Sequence, residues 1–283
     1  MSAASSSAAA PRGLTRGVSA PARLGMRALA LAYLALLVAG PVVLLIWRTF
    51  AGGLEPVVAA LTTPAFIHAL KLTFVVVAIA VPLNTIFGIA CAIVVVRHRF
   101  RGKALLNTLL GTPLGISPVV VGLALVVLYG ARDGWFGPWL MEHGVRVIFA
   151  VPGMVIATIF ISLPFVAREV IPVLREIGTD QEQAALILGA SPWQTFRLIT
   201  LPAIRAGVAY GVVLTTARSL GEYGAVAIVS GKLAGRTETL TLHVEERWLA
   251  FDPVAAYATS VVLALMALVV LLLMRRLEPK EHA

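Results

Sequence analysis

Two charged residues lie inside an apolar stretch in the last third of the chain. Arg218 and Glu222 are four residues apart, so on a helix both side chains would point to the same side. Charges within a membrane-spanning helix are costly, and they usually pair with each other or line a polar path. The sequence leaves three roles open: an ion pair that locks the helix to a neighbour, part of a gate, or an anion ligand at Arg218. Ser219 and Ser117 are the other candidates for such a path.

The sequence has none of the common motifs for catalysis or for nucleotide binding. A phosphate-binding loop requires a glycine-rich turn that ends in Gly-Lys-Ser/Thr. The Gly-Lys pairs at 102–103 and 231–232 are each followed by an apolar residue instead of a hydroxyl, and the five histidines are scattered. We therefore predict no catalytic residue, no metal site and no cofactor bound by this chain. Any ATP-driven process would need its nucleotide site on another chain.

The composition is that of a membrane protein. Of the 283 residues, 59% are hydrophobic and 13% are charged, whereas soluble domains carry about 25% charged residues. A helix needs about 20 apolar residues to cross the hydrocarbon core. Six runs reach this length and predict an all-α polytopic protein with six transmembrane helices: 26–47, 70–96, 104–129, 147–166, 207–230 and 254–274. Prolines at 82, 113, 118, 152 and 164 predict kinks in these helices, not breaks.

Basic residues outside the spans predict the orientation. When the connections are assigned alternately to the two sides, 15 arginines and lysines fall on the side of the N-terminus and 7 on the other. Because basic residues accumulate on the cytoplasmic side, both termini are predicted to be cytoplasmic. The net charge of +9 is thus explained by membrane orientation and not by a nucleic-acid partner. The predicted organisation is a disordered tail, a first helix with its loop, a five-span domain and a second tail: 1–25, 26–60, 61–275 and 276–283.

The connection over 167–206 is predicted to be cytoplasmic and to contain two short helices. Gly189 is placed to end the first helix, on which Ala184, Ala185 and Leu188 share one face. Each helix start matches the reciprocal capping box, in which a hydroxyl and a residue three positions later bond to each other's backbone. These pairs are Thr179 with Glu182 and Ser191 with Gln194. Such a hairpin could lie on its own membrane domain or present its small-residue face to another protein.

The spacing within this connection resembles the EAA loop of binding-protein-dependent ABC importer permeases. The family pattern is Glu-Ala-Ala, three residues, Gly, nine residues, Ile, one residue, Leu-Pro, and this chain keeps every spacing but has Gln183 in place of the glutamate. The resemblance implies a type I importer permease fold, also called MetI-like, in which this loop is the coupling helix that docks onto an ATPase subunit. It assigns the coupling role to Gln183, Ala184, Ala185, Leu188, Gly189, Ile199, Leu201 and Pro202.

Short strings along most of the chain are similar to the CysW type of sulfate/thiosulfate permease. They begin at Ser117, Tyr129, Gly134, Phe149, Pro164 and Leu242. This resemblance implies a subunit of the bacterial inner membrane that works with a homologous CysT-type permease as a heterodimer, an ABC ATPase dimer that holds ATP and Mg, and a periplasmic sulfate-binding protein. Trp135 and Trp139 would form an aromatic belt at the outer interface or a docking surface for the binding protein.

Three alternatives remain open from the sequence. The substrate could be molybdate, tungstate or another oxyanion, since these differ little from sulfate in charge and shape. The pore could contain two copies of this chain. A protein of another class, an ion-coupled secondary transporter, would use buried acids and would not need the cytoplasmic loop, whereas a membrane enzyme would need more polar residues in the spans than this chain has.

Overall fold

The structure is a computed structural model that describes residues 20–277, with side chains described from 24 to 273. In that part of the chain every regular element is a helix and there is no strand. The N-terminal tail was predicted to extend to residue 25, but the first helix already begins at Ala20. The last helix ends at Leu277. The rest of both predicted tails lies outside the described residues.

The first span is one apolar helix with a π-helical turn in its middle. It consists of α1 (Ala20–Leu34), the turn Ala35–Ala39 and α2 (Gly40–Phe50). Over Leu24–Phe50 it has 27 residues, enough to cross a bilayer. Its large apolar side chains are exposed, as expected of a helix surrounded by lipid. The predicted first span, 26–47, lies within this helix.

The chain from Arg48 onward forms a second compact unit. Four of its helical stretches are long and apolar enough to span a membrane: Pro64–Arg97, Val151–Glu176, Pro192–Leu220 and Pro253–Leu273. The two shorter helices Lys103–Gly115 and Pro118–Tyr129 are long enough only when they are taken together as one bent span, the third along the chain, which gives up to six spans in the described residues. The helices of this unit are α3 (Leu54–Leu61), α4 (Pro64–Arg97), α5 (Lys103–Gly115), α6 (Pro118–Tyr129), α7 (Gly137–Glu142), α8 (Val151–Ser162), α9 (Pro164–Glu176), α10 (Asp180–Ile187), α11 (Pro192–Thr195), α12 (Leu201–Leu220), α13 (Gly224–Val229), α14 (Leu240–Leu249) and α15 (Pro253–Leu277).

The third span is broken, which corrects the prediction that its prolines only kink it. Helices α5 and α6 meet at an angle of 112°. Pro118 is the first residue of α6, and Ser117 before it has an extended backbone (φ −60°, ψ 132°). A proline disfavours helical geometry in the preceding residue, so the helix stops there. Pro82 and Pro113, in contrast, lie inside continuous helices.

The fourth and fifth spans also differ from the prediction. Helix α9 runs to Glu176, and α11 continues through a π-helical turn, Phe196–Thr200, directly into α12. The second short helix predicted in the connection is therefore the beginning of the fifth span. That span ends at Leu220 and the chain resumes as α13 only at Gly224, so the helix predicted over 207–230 is interrupted.

Glycines allow three of the spanning helices to pack closely. A Cβ atom added to Gly88 on α4 would lie 2.7 Å from Val166 Cβ on α9, and one added to Gly211 on α12 would lie 2.8 Å from Val166 Cα. Val166 is fully buried between them. Small residues at such crossings let helix backbones approach, which is the main source of packing energy inside a membrane.

Replacing Gly88 by leucine should therefore destabilise the bundle. The added side chain has no space at Val166, and overpacking of this kind costs about 1–3 kcal/mol. We expect a lower unfolding temperature of the detergent-solubilised protein. Gly25→Leu is the control, because a Cβ atom at Gly25 meets nothing within 4 Å. Equal unfolding temperatures for the two variants would contradict the close packing of α4 against α9.

Candidate functional sites

The loop between α9 and α12 ends its short helix sharply. Helix α10 stops at Ile187, and Gly189 follows in the left-handed conformation with φ +87°. The Gly189 N–H donates to the carbonyl of Leu186 at 3.1 Å, and the Ala190 N–H donates to that of Ala185 at 3.0 Å. This pair of bonds is the Schellman motif, which favours glycine at the left-handed position. The predicted role of Gly189 as the end of the helix is confirmed.

Only one of the two predicted capping boxes forms. Ser191 accepts from the Gln194 N–H at 3.3 Å, and the Gln194 side chain accepts from the Ser191 N–H at 2.8 Å. Thr179 has no capping bond to the backbone, so the prediction at that position is wrong. Its hydroxyl instead accepts from the Gln183 side-chain nitrogen at 2.8 Å. Gln183 thus bonds within its own loop.

The tip of the loop is an exposed apolar surface. Ile187 and Leu188 are 85% and 87% exposed, and Leu186 is half exposed beside them. Ala184 is exposed and Ala185 partly buried. Large aliphatic side chains grouped in this way outside the spans are typical of a surface that binds another protein. Trp193 and Leu198 add further exposed apolar area after Gly189.

Glu182 anchors the loop to the ends of two long helices. Its Oε2 lies 2.9 Å from Arg97 Nε, and its Oε1 accepts from Arg97 Nη2 at 3.1 Å. The Thr200 hydroxyl, in the π-helical turn, donates to the same Oε1 at 2.8 Å. Arg97 also donates to the Leu174 carbonyl at 3.0 Å. Because the Arg97 and Glu182 side chains are 11% and 18% exposed, this clamp is protected from water.

This clamp was not predicted from the sequence. Arg97 was treated as a basic residue that follows a span and Glu182 as part of a helix cap. The clamp residues come from three regions of the chain, and no local pattern connects them. Thr200, just before α12, is flanked in the sequence by three of the residues assigned to coupling: Ile199, Leu201 and Pro202. The residues that resemble the coupling loop therefore extend from the exposed tip to the first turn of a spanning helix.

Glu182→Ala should loosen the loop much more than Gln183→Ala. Loss of a hydrogen bond to a charged group costs about 1.5–3 kcal/mol, which corresponds to about a tenfold or larger increase in loop opening. Trypsin cleavage at Arg175 or Arg197, which flank the loop, measures this opening in membrane vesicles. Gln183→Ala removes only the bond to Thr179 and is the control. Equal cleavage rates would contradict the clamp.

The charged pair lies where the fifth span ends. Arg218 is in the last turn of α12 and Glu222 follows its end, and Arg218 Nη2 lies 2.9 Å from Glu222 Oε2. The Glu222 side chain is 2% exposed and that of Arg218 is 34% exposed. Glu222 Oε1 also accepts from the Ala225 N–H at 2.9 Å. The two side chains thus form the ion pair that was one of the roles left open by the sequence, and the carboxylate joins α12 to α13.

The breaks in the third and fifth spans touch each other. A Cβ atom added to Gly224 would lie 2.8 Å from Pro118 Cβ, so the start of α13 packs directly on the start of α6. Ser117 is at that junction, and its hydroxyl makes no capping bond. The structure thus brings the predicted path residue Ser117 near the segment that carries Arg218 and Glu222. Two interrupted helices that meet inside the bundle are a common architecture of binding sites and gates in transporters.

Ser219 takes part in a buried polar cluster instead of facing an open path. Its hydroxyl donates to Ser162 Oγ on α8 at 3.3 Å, and Asn84 on α4 donates to the same oxygen at 2.8 Å. Asn84 also donates to the Ile159 carbonyl at 3.2 Å. Asn84 and Ser162 are fully buried and Ser219 is 5% exposed. These bonds connect three spans beside the charged pair.

The interruption between α12 and α13, with the pair Arg218 and Glu222, is called the charged break below. A surface ion pair lies near it. Lys232 Nζ donates to both oxygens of Glu245, at 2.8 and 2.7 Å, and lies 5.9 Å from the centre of the Tyr223 ring. Burial opposes ionisation of Glu245, but hydrogen bonds from Lys232 and Tyr223 outweigh it and lower its pKa. The hydrogen bond to Glu245 raises the pKa of Lys232. The pair therefore persists to lower pH than a free glutamate would allow.

Comparison with known proteins identifies the family. Residues 84–282 match the family described as the inner membrane component of binding-protein-dependent transport systems. The chain belongs to this family. The match covers everything from the middle of α4 onward, including the loop and the charged break.

The sequence similarity to permease proteins extends over most of the chain. The chain is 50% identical to the sulfate transport system permease protein CysW of Synechocystis sp. over 253 residues, which are 89% of this chain and 91% of that protein. It is 38% identical to the CysT permease of Escherichia coli over 72% of this chain and 74% of that one. A chain of a bacterial alginate ABC transporter has the same fold, with a TM-score of 0.74, 18% identity, and coverage of 91% and 94%. The chain is thus a multi-pass membrane component of a transport system.

Proposed function

We propose that this chain is a permease subunit that moves sulfate or thiosulfate across the bacterial inner membrane. The observation that carries the proposal is the 50% identity to a CysW sulfate permease over nine-tenths of both chains. A CysT permease is a more distant relative, which supports a pore formed by two different permeases. An ATPase dimer that binds ATP and Mg, and a periplasmic sulfate-binding protein, would complete the importer.

The loop provides a route by which the ATPase could drive the spans. The exposed tip at Ile187 and Leu188 would dock onto the ATPase on the side that the basic residues predict to be cytoplasmic. The clamp of Glu182 with Arg97 and Thr200 would pass its movement to α4 and α12. Because α12 has 20 residues, it is about 30 Å long.

The far end of that route is the charged break. Helix α12 would deliver the displacement of the loop to Arg218 and Glu222, and the contact between Gly224 and Pro118 would pass it on to α6. Closure of the ATPase dimer on ATP would thus open the paired permeases outward, and hydrolysis would reset them. The pair serves as a gate element in this mechanism.

Uptake of radiolabelled sulfate tests the proposal. Cells without this chain should lose uptake and regain it when the chain is restored, with inhibition by thiosulfate and loss on ATP depletion. Unchanged sulfate uptake with loss of molybdate or tungstate uptake would overturn the substrate but keep the permease. Uptake that survives ATP depletion but collapses with the proton gradient would replace the ATP-driven importer with an ion-coupled transporter.

A further inference from the structure

Three side chains that commonly bind metals meet where the chain enters α14. Glu238 lies just before the helix, and His243 and Glu246 are three residues apart on it, so they project from the same side. One nitrogen or oxygen atom from each residue lies within 4.8 Å of the others. The cluster belongs neither to the loop nor to the charged pair.

Glu238 has a buried oxygen that lacks a hydrogen-bond donor. Both Glu238 and His243 are 1% exposed. The Nδ1 atom of His243 lies 2.9 Å from Glu238 Oε1. The second oxygen, Oε2, is buried and has no hydrogen-bond partner among the described residues. A buried carboxylate oxygen left without a donor is costly, and a bound cation is one of the few groups that would satisfy it.

The surroundings hold these side chains in place. The Leu240 N–H donates to the Thr73 hydroxyl on α4 at 2.9 Å, which fixes the first turn of α14. The Phe66 ring packs edge-on against the His243 ring with their centres 6.1 Å apart. A site with two buried ligands on a fixed helix start needs little rearrangement when an ion binds.

Glu246 forms the accessible side of the cluster. Its side chain is 41% exposed, so an ion could enter past it. Both of its oxygens accept from Arg247 at 2.7 Å, but an ionised carboxylate has about four lone-pair positions and can bind a further partner. The two carboxylates outnumber the one arginine at this cluster, and this excess of acidic groups favours a cation.

We propose that Glu238, His243 and Glu246 bind a divalent transition metal, with Zn²⁺ preferred. One imidazole and two carboxylates are ligands that Zn²⁺ accepts, and a water would complete the four-coordinate shell. The Nδ1 atom of His243 would exchange its contact with Glu238 for the ion. The metal would tie the connection before α14 to the helix.

Metal content of the full-length chain tests the site. The protein, with any subunits that co-purify, is purified in detergent by means of an affinity tag that contains no histidine. Bound metal is then removed with a chelator, and the protein is reloaded with Zn²⁺. We expect about one zinc per chain and a higher unfolding temperature, as metal binding is linked to folding. His243→Ala and Glu238→Gln should lower the affinity for zinc at least about tenfold, since loss of an outer-shell partner alone typically costs that much. Glu245→Gln is the control, because Glu245 is on the same helix but pairs with Lys232.

A second measurement covers the case in which the variants do not fold. Co²⁺ added to the stripped wild-type protein should give the intense visible absorption of tetrahedral cobalt, and Zn²⁺ should abolish it. Absence of this spectrum, absence of zinc from the reloaded wild type, or equal zinc in wild type and a folded His243→Ala protein would overturn the proposal. None of these measurements depends on transport.

Discussion

Gly189→Glu is expected to abolish retention of the ATPase while the chain remains in the membrane. Gly189 has φ +87° and ends α10 beside the exposed tip at Ile187 and Leu188. A residue with a Cβ atom costs about 1–2 kcal/mol in this conformation, and the new carboxylate would lie beside an apolar docking surface. A loss of 1.4 kcal/mol already weakens binding about tenfold. Co-purification of the ATPase with the tagged chain measures the effect.

Gly178→Glu separates the effect of position from that of strain. Gly178 is in the same connection, has φ +65°, and a Cβ atom there also meets nothing within 4 Å. It carries the same backbone penalty and the same added charge, but it precedes α10 instead of following the tip. We expect this variant to keep the ATPase. Normal retention by Gly189→Glu, or equal loss in both variants, would count against the coupling role of the tip.

Arg218→Met should be the most destabilising single change at the charged break. It leaves the Glu222 carboxylate buried without its counter-charge. Removing one partner of a buried pair costs about 3–5 kcal/mol, and we expect about 2–4 here because Arg218 is one-third exposed. The expected result is a clear drop in the unfolding temperature and loss of sulfate uptake.

The double variant Arg218→Met/Glu222→Gln distinguishes a lock from a gate. Glutamine keeps the acceptor for the Ala225 N–H and removes the uncompensated charge, so stability should recover most of the loss. A gate that depends on the ion pair would stay inactive in this stable protein. Recovery of both stability and uptake would reduce the pair to structural support, and additive destabilisation in the double-mutant cycle would show that the charges do not interact.

The sequence predicted the parts of this protein that depend on local composition and spacing. The number of spans follows from apolar length, and the end of the loop helix at Gly189 follows from capping chemistry. An ion pair of Arg218 with Glu222 was one of the three roles that the sequence left open, and the two side chains are paired although Glu222 lies beyond the end of α12. Two residues four positions apart stay close in space even where the helix ends between them, so their salt bridge can be expected from the sequence alone.

The breaks were not predictable in this way. Pro118 ends a helix whereas Pro82 does not, because inside a bundle a proline continues a helix wherever neighbours satisfy the freed carbonyls. The interruption after Leu220 contains one glycine, Gly221, and no proline, and it is stabilised by Glu222, which accepts from the Ala225 N–H. Such distinctions depend on tertiary contacts, which a single sequence does not display.

The clamp and the polar cluster were missed for the same reason. Arg97 and Glu182 are 85 residues apart, and Asn84 and Ser162 are 78 apart. Each is an ordinary polar residue in its local context. Only packing of α4 against the later helices gives these residues partners.

The divided third span has a consequence for how the chain enters the bilayer during its synthesis. Helix α6 has 12 residues and is about 18 Å long, well short of the hydrocarbon thickness of roughly 30 Å. Neither it nor the 13-residue α5 can partition into lipid as an independent transmembrane unit. Since α6 packs on α13, which is synthesised about 100 residues later, the contact that supports α6 can form only after the fifth span has been synthesised.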